Sequence, residues 1–452
     1  MNYHAYEFAH ALISPMRIAA QGLKMQMQMP FNPIAMTPMG RSIAAAMDVF
    51  EGITRRYGKP EWNIDAVHID GIDVPIRIET VRRKPFCNLI HFARDEWVGN
   101  GDELPKVLIV APMSGHYATL LRGTVEAMLP EHDVYITDWI DARDVPVTDG
   151  RFDLNDYVDY VIEFIRHVGM RTHIIAVCQP AVPVLVAAGF MAGEDDPYQP
   201  MSMTLMGGPI DTRRNPTAVN QLAEQKSMDW FEKNVISLVP FPNAGFMRRV
   251  YPGFVQLTGF MTMNLERHAK AHMNLFEDLV KGDCDSVAQH REFYEEYLAV
   301  MDLTAEFYLQ TVETVFQTHA IPEGTFVHRG TRVDFSKIQR TALLTIEGER
   351  DDISGRGQTE AAQDLCSNLP YDEKFHYVQP GVGHYGVFNG RRWRSEIQPR
   401  IRDFIRSTEF RRDRGAKLVT NGHHNGPYQS LQAHDDAIPE WDRADVSNMK
   451  HG

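Results

Sequence analysis

The sequence predicts an α/β protein with a mostly parallel β-sheet covered by helices and a helical segment inserted between two of its strands. Three observations lead to this prediction. Short apolar strands alternate with helical segments, which is typical of strands joined by helical crossovers. Several strands are apolar throughout, as expected for strands buried on both faces. A long stretch, about 211–340, then interrupts the alternation with helix-forming and large apolar residues.

The first predicted strands form an antiparallel group. Residues 63–69 and 74–81 flank Asp70-Gly71, a turn sequence typical of hairpins, and 87–92 is a further strand. Short apolar runs predict the remaining strands over 106–112, 133–139, 173–178, 201–207, 341–347 and 377–378.

Helices are predicted between these strands from the spacing of apolar residues. Leu154 and Val158 fall on one face of a helix over 154–168. Further helices are predicted over 180–191 and 397–405.

The changes in composition along the chain divide it into five segments. An insertion of about 130 residues between strands of one sheet is usually functional, so a cap over the site is expected there. The predicted segments are a Met-rich N-terminal segment (1–61), the first part of the α/β core (62–210), a helical cap (211–340), the second part of the core (341–410) and a flexible polar tail (411–452).

Composition excludes several classes of protein. Lys+Arg number 46 against 60 Asp+Glu, a net charge of −14, which argues against a general nucleic-acid binder. The four cysteines show no CxxC spacing, so neither a zinc site nor a disulfide framework is expected, and no cofactor is indicated. No apolar run is long enough to cross a membrane, and the start does not resemble a signal peptide. A cytoplasmic protein with reduced thiols is predicted.

The methionines are unusual, because the chain has 22 of them and many lie near its start. Residues 1–60 also carry six basic and three acidic residues, and are therefore basic within an acidic protein. Methionine suits adaptable apolar surfaces. The segment is expected either to pack on the rest of the fold or to adhere to a hydrophobic particle or a partner subunit.

Three short sequences in chain order carry the candidate chemistry: Ala-Val-Cys-Gln-Pro at 176–180, Gly-Glu-Arg-Asp-Asp at 348–352 and Gly-Val-Gly-His-Tyr-Gly at 381–386. Each follows a predicted strand. The order nucleophile, acid, histidine is that of the α/β-hydrolase fold. The usual nucleophile sequence G-x-S-x-G is replaced here by one with Cys178 at its centre and Ala176 and Pro180 at its flanks.

The other roles follow from the same fold. Asp351 lies three residues after Gly348 and is the first candidate for the acid, with Asp352 as the alternative. His384 is the candidate base. An oxyanion hole is expected from the backbone N–H of Gln179 and from the loop after strand 106–112, at Met113 and Ser114.

These sequences, together with Pro-Met-Ser-Gly-His-Tyr-Ala-Thr-Leu-Leu-Arg-Gly at 112–123, resemble the intracellular polyhydroxybutyrate (polyhydroxyalkanoate) depolymerases of bacteria, from the N-terminus to about residue 410. The resemblance implies an α/β-hydrolase fold with Cys178 as nucleophile, Asp351 as acid and His384 as base. It also implies cleavage of stored poly(3-hydroxybutyrate) through an acyl-thioester, releasing 3-hydroxybutyrate monomers and oligomers from granules in the cytoplasm.

Three alternatives stay open. A polyhydroxyalkanoate synthase shares the chemistry, but its Gly-x-Cys-x-Gly sequence differs from this one at Ala176 and Pro180. An esterase or thioesterase for small substrates, and a catalytically inactive granule-binding protein, are the others. Water and coenzyme A are both chemically able to accept the acyl group.

Residues in 228–263 of the predicted cap are expected to line the active-site entrance or contact the polymer, because exposed aromatic and Met patches need an apolar partner. The alternative is that these helices simply pack on the core. The expected partners are the polymer or its granule surface, and a homo-oligomer is left open. The candidates for substrate binding are His116, Trp230, Phe231, Phe246, Tyr251 and Tyr385.

Overall fold

The computed structural model describes residues 3–29, 31–94, 104–263 and 265–421. The described strands are β1 (Ala66–Ile69), β2 (Ile72–Lys84), β3 (Cys87–Arg94), β4 (Lys106–Val110), β5 (Asp133–Trp139), β6 (Thr172–Val177), β7 (Ser202–Met206), β8 (Ser237–Leu238), β9 (Arg249–Tyr251), β10 (Leu303–Thr304), β11 (Val327–His328), β12 (Thr331–Arg332), β13 (Ala342–Gly348) and β14 (Lys374–Gln379).

The described helices are α1 (Tyr3–Gln28), α2 (Pro38–Thr54), α3 (Arg122–Met128), α4 (Leu154–Val168), α5 (Ala181–Gly193), α6 (Ala218–Gln225), α7 (Met228–Asn234), α8 (Gly253–Met263), α9 (Leu265–Lys281), α10 (Cys284–Tyr297), α11 (Ala305–Thr311), α12 (Ala361–Leu365), α13 (Gly390–Arg392) and α14 (Gln398–Asn421). None of these helices combines the length and the apolar character that a membrane-spanning segment needs.

Within the described residues, the central sheet has nine strands in the order β1-β2-β3-β5-β4-β6-β7-β13-β14. The strands from β5 through β4 to β14 pair in parallel, and β1, β2, β3 and β5 pair antiparallel. The predicted mostly parallel sheet is therefore confirmed. The carboxyl ends of its parallel strands lie at one edge, where ligand sites of such sheets form.

The central strands are apolar because helices cover both faces of the sheet. Every residue of β6, β7 and β13 is buried. Helix α4 has the bounds that the sequence predicted, and a capping box explains where it begins. The Asp153 carboxylate accepts a hydrogen bond from the Asp156 N–H, and the Asp156 carboxylate accepts one from the Asp153 N–H.

Residues 207–341, called the inserted segment below, separate β7 from β13. Six helices, α6 to α11, occupy most of the described part of it, with a small sheet in the order β10-β9-β8 and the hairpin β11-β12. The buried Arg248 guanidinium ties it to the loop after β5, where it donates hydrogen bonds to the carbonyl oxygens of Val145, Pro146 and Gly150.

The Met-rich N-terminal segment forms two helices, α1 and α2, for which the sequence analysis predicted no structure. Thr37 caps α2, since its side chain accepts a hydrogen bond from the Gly40 N–H. The Lys24 ammonium pairs with the Asp48 carboxylate at 2.8 Å and joins the two helices. Their large apolar residues face outward, as described below.

One predicted boundary needs correction. The flexible tail was expected from residue 411, but α14 continues to Asn421. Arg411, Arg412 and Arg414 are good helix formers and favour continuation of the helix. Among the described residues, those up to 408 form one compact unit, to which the stretch from 409 does not belong. The rest of the predicted tail, 422–452, lies outside the described residues.

Candidate active site

Cys178 lies in a sharp turn between β6 and α5, at the centre of the sheet. Its backbone is left-handed, with φ +69°, a conformation that is costly for a residue other than glycine. The Cys178 N–H donates to the carbonyl oxygen of Met206 on β7 (2.7 Å), and the Ala181 N–H donates to the Cys178 carbonyl oxygen (3.0 Å). This is the strained strand-to-helix turn of a nucleophile elbow.

Two glycines after β7 give the elbow its space. A Cβ on Gly208 would lie 2.2 Å from the Ala181 Cβ and 2.8 Å from the Cys178 carbonyl oxygen. Gly207 has φ +56°, and a Cβ there would lie 3.3 Å from Asp351 Oδ2. In G-x-S-x-G the two glycines of the elbow itself leave room for close packing. Here the glycines that follow the neighbouring strand β7 leave that room instead.

Asp351 and His384 follow β13 and β14 and meet beside the elbow. His384 Nδ1 lies 2.8 Å from Asp351 Oδ2, and both side chains are buried. Asp351 Oδ1 accepts hydrogen bonds from the N–H groups of Ile353 (2.9 Å) and Ser354 (2.8 Å), which fix the carboxylate. Asp352 is exposed, so the structure brings Asp351, and not Asp352, to His384.

The electrostatics of this group favour a protonated His384. Burial alone lowers the pKa of His384, but the charges of Asp351 and Cys178, and hydrogen bonds to both, raise this pKa well above its ordinary value. His384 is thus placed beside Cys178 as the base that an activated cysteine nucleophile needs.

The other cysteines lie in different surroundings. Burial raises the pKa of the Cys87 thiol well above its ordinary value and that of Cys366 to about 12, so both stay protonated. Cys284 is exposed on α10. Among the four, Cys178 alone lines the cavity described next.

A cavity of about 690 Å³ opens above Cys178 and His384. The inserted segment supplies much of its wall, and apolar side chains dominate it. The residues from the inserted segment include Ala218, Val219, Leu222, Ala223, Phe231, Tyr251, Gln256, Phe260, Tyr308, Val312 and Phe316. The size and the apolar lining of this cavity are typical of a site that binds a small or extended neutral ligand.

Two amide side chains interrupt this apolar wall. Both amide atoms of Gln179 and the Oε1 atom of Gln256 are buried, with no hydrogen-bond partner in the described part of the chain. Gln256 lies against the loop after β4, since a Cβ on Gly115 would be 2.5 Å from its Oε1. Unpaired buried polar atoms are costly, so a ligand that pairs with them is favoured.

The structure brings together most of the residues that the sequence proposed for substrate binding. His116, Phe231, Tyr251 and Tyr385 line the cavity. His116 Nε2 lies 3.1 Å from the Tyr297 carbonyl oxygen, and burial lowers the pKa of His116 to about 4, so its imidazole is neutral.

Trp230 and Phe246 do not line the cavity, contrary to the prediction. Neighbouring residues on a helix point about 100° apart, so when α7 turns Phe231 inward its neighbour Trp230 faces elsewhere. Trp230 packs edge-on against Phe231 and under the Lys226 ammonium. Phe246 is partly exposed and contacts Phe241.

Of the residues predicted for the oxyanion hole, Gln179 and Ser114 line the cavity beside Cys178. The Met113 side chain is buried next to this loop. The predicted roles belong to backbone N–H groups, so they stay a prediction.

Sequence reasoning missed the cavity walls on α6 and α11, of which Leu222 and Tyr308 are examples. Helix α8 lies within 228–263, the range that the sequence assigned to the entrance or the polymer, but Gln256 was not singled out there. Residues 253–263 contain no charged residue, which is typical of a helix next to an apolar site.

One group of side chains within the described residues has the spacing of a metal site, namely Glu347, Glu360 and His376. Both Glu347 oxygens already accept backbone hydrogen bonds, from the N–H groups of Gly357, Thr359 and Glu360. Because these bonds fix a loop beside β13, they explain the buried carboxylate without a metal.

The elbow, the buried acid–histidine pair and the sheet order define an α/β-hydrolase fold. Residues 207–409, which include Asp351 and His384 but not Cys178, match the family model described as the C-terminus of PHB depolymerase. This part of the chain is thus similar to the C-terminal part of polyhydroxybutyrate depolymerases, in agreement with the resemblance found in the sequence.

Solved structures similar to this chain include lipases and esterases. A monoacylglycerol lipase from Paleococcus ferrophilus is 13% identical, with 68% of this chain and 96% of the lipase covered and a TM-score of 0.39. A thermophilic esterase from Thermogutta terrifontis is 13% identical, with 76% and 97% covered and a TM-score of 0.37. Comparison with curated protein sequences finds no significant match.

The Asp351–His384 pair yields a prediction about protonation. In Asp351→Asn the carboxylate charge is lost, so the pKa of His384 falls and the imidazole loses its proton at a lower pH. NMR of the protein with ¹³Cε1-labelled histidine measures this midpoint, and the His384 resonance is the one absent from His384→Ala. Asp352→Asn is the matched control and leaves the midpoint in place. Equal midpoints in wild type and Asp351→Asn would contradict the assignment of the acid.

Proposed function

We propose that this chain is a polyhydroxybutyrate depolymerase that hydrolyses poly(3-hydroxybutyrate) with Cys178, His384 and Asp351. The observation that carries the proposal is a thiol on a nucleophile elbow, next to a buried His384–Asp351 pair, inside an apolar cavity. The family match over residues 207–409 supports the choice of polymer.

The first half of the reaction transfers the acyl group to cysteine. His384 takes the proton of Cys178, and the thiolate attacks the ester carbonyl carbon, forming a C–S bond. The backbone N–H of Gln179, and one from the loop at Met113 and Ser114, stabilise the oxyanion. When the C–O bond breaks, His384 gives its proton to the departing oxygen. One product ends in a hydroxyl group, and the other is a thioester on Cys178.

The second half releases the acid. His384 takes a proton from a water molecule, whose oxygen attacks the thioester carbonyl carbon. The C–S bond breaks, and the Cys178 sulfur receives the proton from His384. The product is a carboxylic acid, so each cycle consumes one water per ester bond. Asp351 keeps the imidazole oriented in both halves and stabilises its charge.

The surroundings of Cys178 suit a polyester better than a charged metabolite. The cavity wall is mainly apolar. The unpaired amide groups of Gln179 and Gln256 offer hydrogen bonds to the ester and hydroxyl groups of a hydroxyacid ester. The net charge of −14 is compatible with a neutral substrate. We place the enzyme in the cytoplasm, at polyester storage granules, because stored polymer of this kind is an intracellular particle.

Replacement of Cys178 tests the nucleophile. In Cys178→Ala, release of 3-hydroxybutyrate from amorphous polymer particles falls by at least ~10³-fold, since loss of a nucleophile typically costs this much or more. Product analysis by chromatography measures the release. Cys284→Ala, which removes the exposed cysteine on α10, is the matched control and keeps the wild-type rate.

Three results would contradict the proposal. Unchanged release from Cys178→Ala would exclude Cys178 as nucleophile. No release by the wild type would favour the inactive granule-binding alternative, or an esterase or thioesterase if short soluble esters are cleaved. Formation of polymer from 3-hydroxyacyl-coenzyme A would identify a synthase.

Gln256 provides a test of substrate recognition. Its buried Oε1 is placed to accept a hydrogen bond from the hydroxyl end of the polyester. In Gln256→Met, which keeps size but removes the acceptor, kcat/KM for p-nitrophenyl 3-hydroxybutyrate falls about tenfold, the effect of one lost hydrogen bond. The value for p-nitrophenyl butyrate, which lacks the hydroxyl group, stays the same.

Gln221→Met is the matched control for this variant. Gln221 is exposed on α6 and does not line the cavity, so its replacement changes neither value. An equal loss for both esters in Gln256→Met would show a general packing defect instead of recognition of the hydroxyl group.

A further inference from the structure

The outer face of α1 is apolar along most of the helix. Large side chains on it are strongly exposed, and Ala, Gly, Pro and the uncharged Gln21 lie between them. The large exposed apolar residues of α1 are Phe8, Leu12, Met16, Ile18 and Met25. Exposed Met29, Phe31, Ile34, Met36 and Met39 extend this surface toward α2. An exposed patch of this kind marks a surface for a partner.

The charged residues of α1 are turned away from this face. By sequence α1 contains three of them, Glu7, Arg17 and Lys24. Glu7 pairs with Arg56 (2.6 Å), Lys24 pairs with Asp48 (2.8 Å), and the Arg17 guanidinium donates to the Thr54 carbonyl oxygen (2.6 Å). Every one of these contacts is to α2 or the residues just after it, so the outer face of α1 presents no Asp, Glu, Lys or Arg.

The N-terminal end of α1 contacts the wall of the catalytic cavity. Tyr6 stacks on Phe254 with ring centroids 4.0 Å apart, and Tyr3 meets the same ring edge-on at 5.4 Å. Phe254 is in the first turn of α8, which carries Gln256 and Phe260 into the cavity.

A buried carboxylate strengthens this contact. The Tyr3 hydroxyl donates to Asp302 Oδ2 (2.9 Å), and the N–H of Gly253, the first residue of α8, donates to Asp302 Oδ1 (2.9 Å). The start of α1 and the start of α8 are therefore held by one side chain.

We infer that the outer face of α1 and its extension toward α2 dock the protein on the surface of the solid polyester, so that α1 holds the particle beside the cavity that degrades it. The inference rests on the proposed function. A neutral apolar particle fits a face without charges. The inward-facing Tyr3 and Tyr6 of α1 pack on α8, so the docking helix is held against a helix that lines the catalytic cavity.

Two other occupants fit less well. Helices that lie on anionic membranes carry Lys and Arg on their polar face, whereas Arg17 and Lys24 are engaged with α2. An interface between two copies is typically enriched in Met, aromatic residues and Arg and is surrounded by a polar rim. The outer face of α1 has exposed Met residues but presents no Arg and no other charged residue that would form such a rim.

The test separates docking from catalysis. Leu12→Lys/Met16→Lys places two charges on the face, and sedimentation with amorphous poly(3-hydroxybutyrate) particles measures binding in the Cys178→Ala background. We expect the partition coefficient to fall at least tenfold. With Cys178 present, the double variant loses turnover of particles but still hydrolyses p-nitrophenyl butyrate.

Met170→Lys is the matched control, because Met170 is 62% exposed and Met16 61%, but Met170 lies between α4 and β6. It binds particles as Cys178→Ala alone does. Circular dichroism shows that each variant is folded.

Each remaining outcome decides the inference. Unchanged partition of the double variant would overturn it. So would a wild-type dimer that becomes monomeric in the double variant without a loss of particle binding, or binding to phosphatidylcholine vesicles in place of the polymer. If the wild type releases no 3-hydroxybutyrate but partition still depends on Leu12 and Met16, docking stands and the proposed function fails.

Discussion

The left-handed backbone of Cys178 is the constraint on which the site depends. A residue other than glycine adopts this conformation only when its surroundings fix it. Here the Cys178 N–H is bound to Met206 on the adjacent strand, and the Cys178 carbonyl oxygen is bound at the first turn of α5. Buried strands on both sides of β6 hold these partners in place, so the sheet itself supports the strain that presents the thiol.

The same sheet explains why residues distant in sequence meet at this thiol. Asp351 and His384 follow the two strands at one end of the parallel group, and Gly207 follows the strand between them and β6. Without a side chain, Gly207 leaves room for the Asp351–His384 hydrogen bond to approach Cys178. Burial by itself lowers the pKa of His384 and favours the neutral imidazole. The nearby negative charges outweigh this effect and raise the pKa.

The sequence predicted the elements whose apolar residues face the core. The order of apolar and polar residues along the chain predicts strands such as β6 and the amphipathic helix α4. Helix α1 could not be found in this way, because its large apolar residues face outward. Neither could the roles of Trp230 and Phe231 be separated, since the rotation of α7 about its axis is set by packing. The unpaired amide of Gln256 depends on long-range contacts that no local pattern contains.

Asp302 explains why the N-terminal helices belong to the hydrolase and are not an independent attachment. Burial raises the pKa of the Asp302 carboxyl, and a buried carboxylate without partners is very costly. Its partners come from Tyr3 on α1 and Gly253 on α8. Removal of α1 would take away the hydrogen bond from Tyr3 to Asp302 and would expose Phe254. Both changes would occur at the first turn of α8, a helix of the cavity wall. The start of α8, a helix of that wall, is therefore supported by the N-terminal helix.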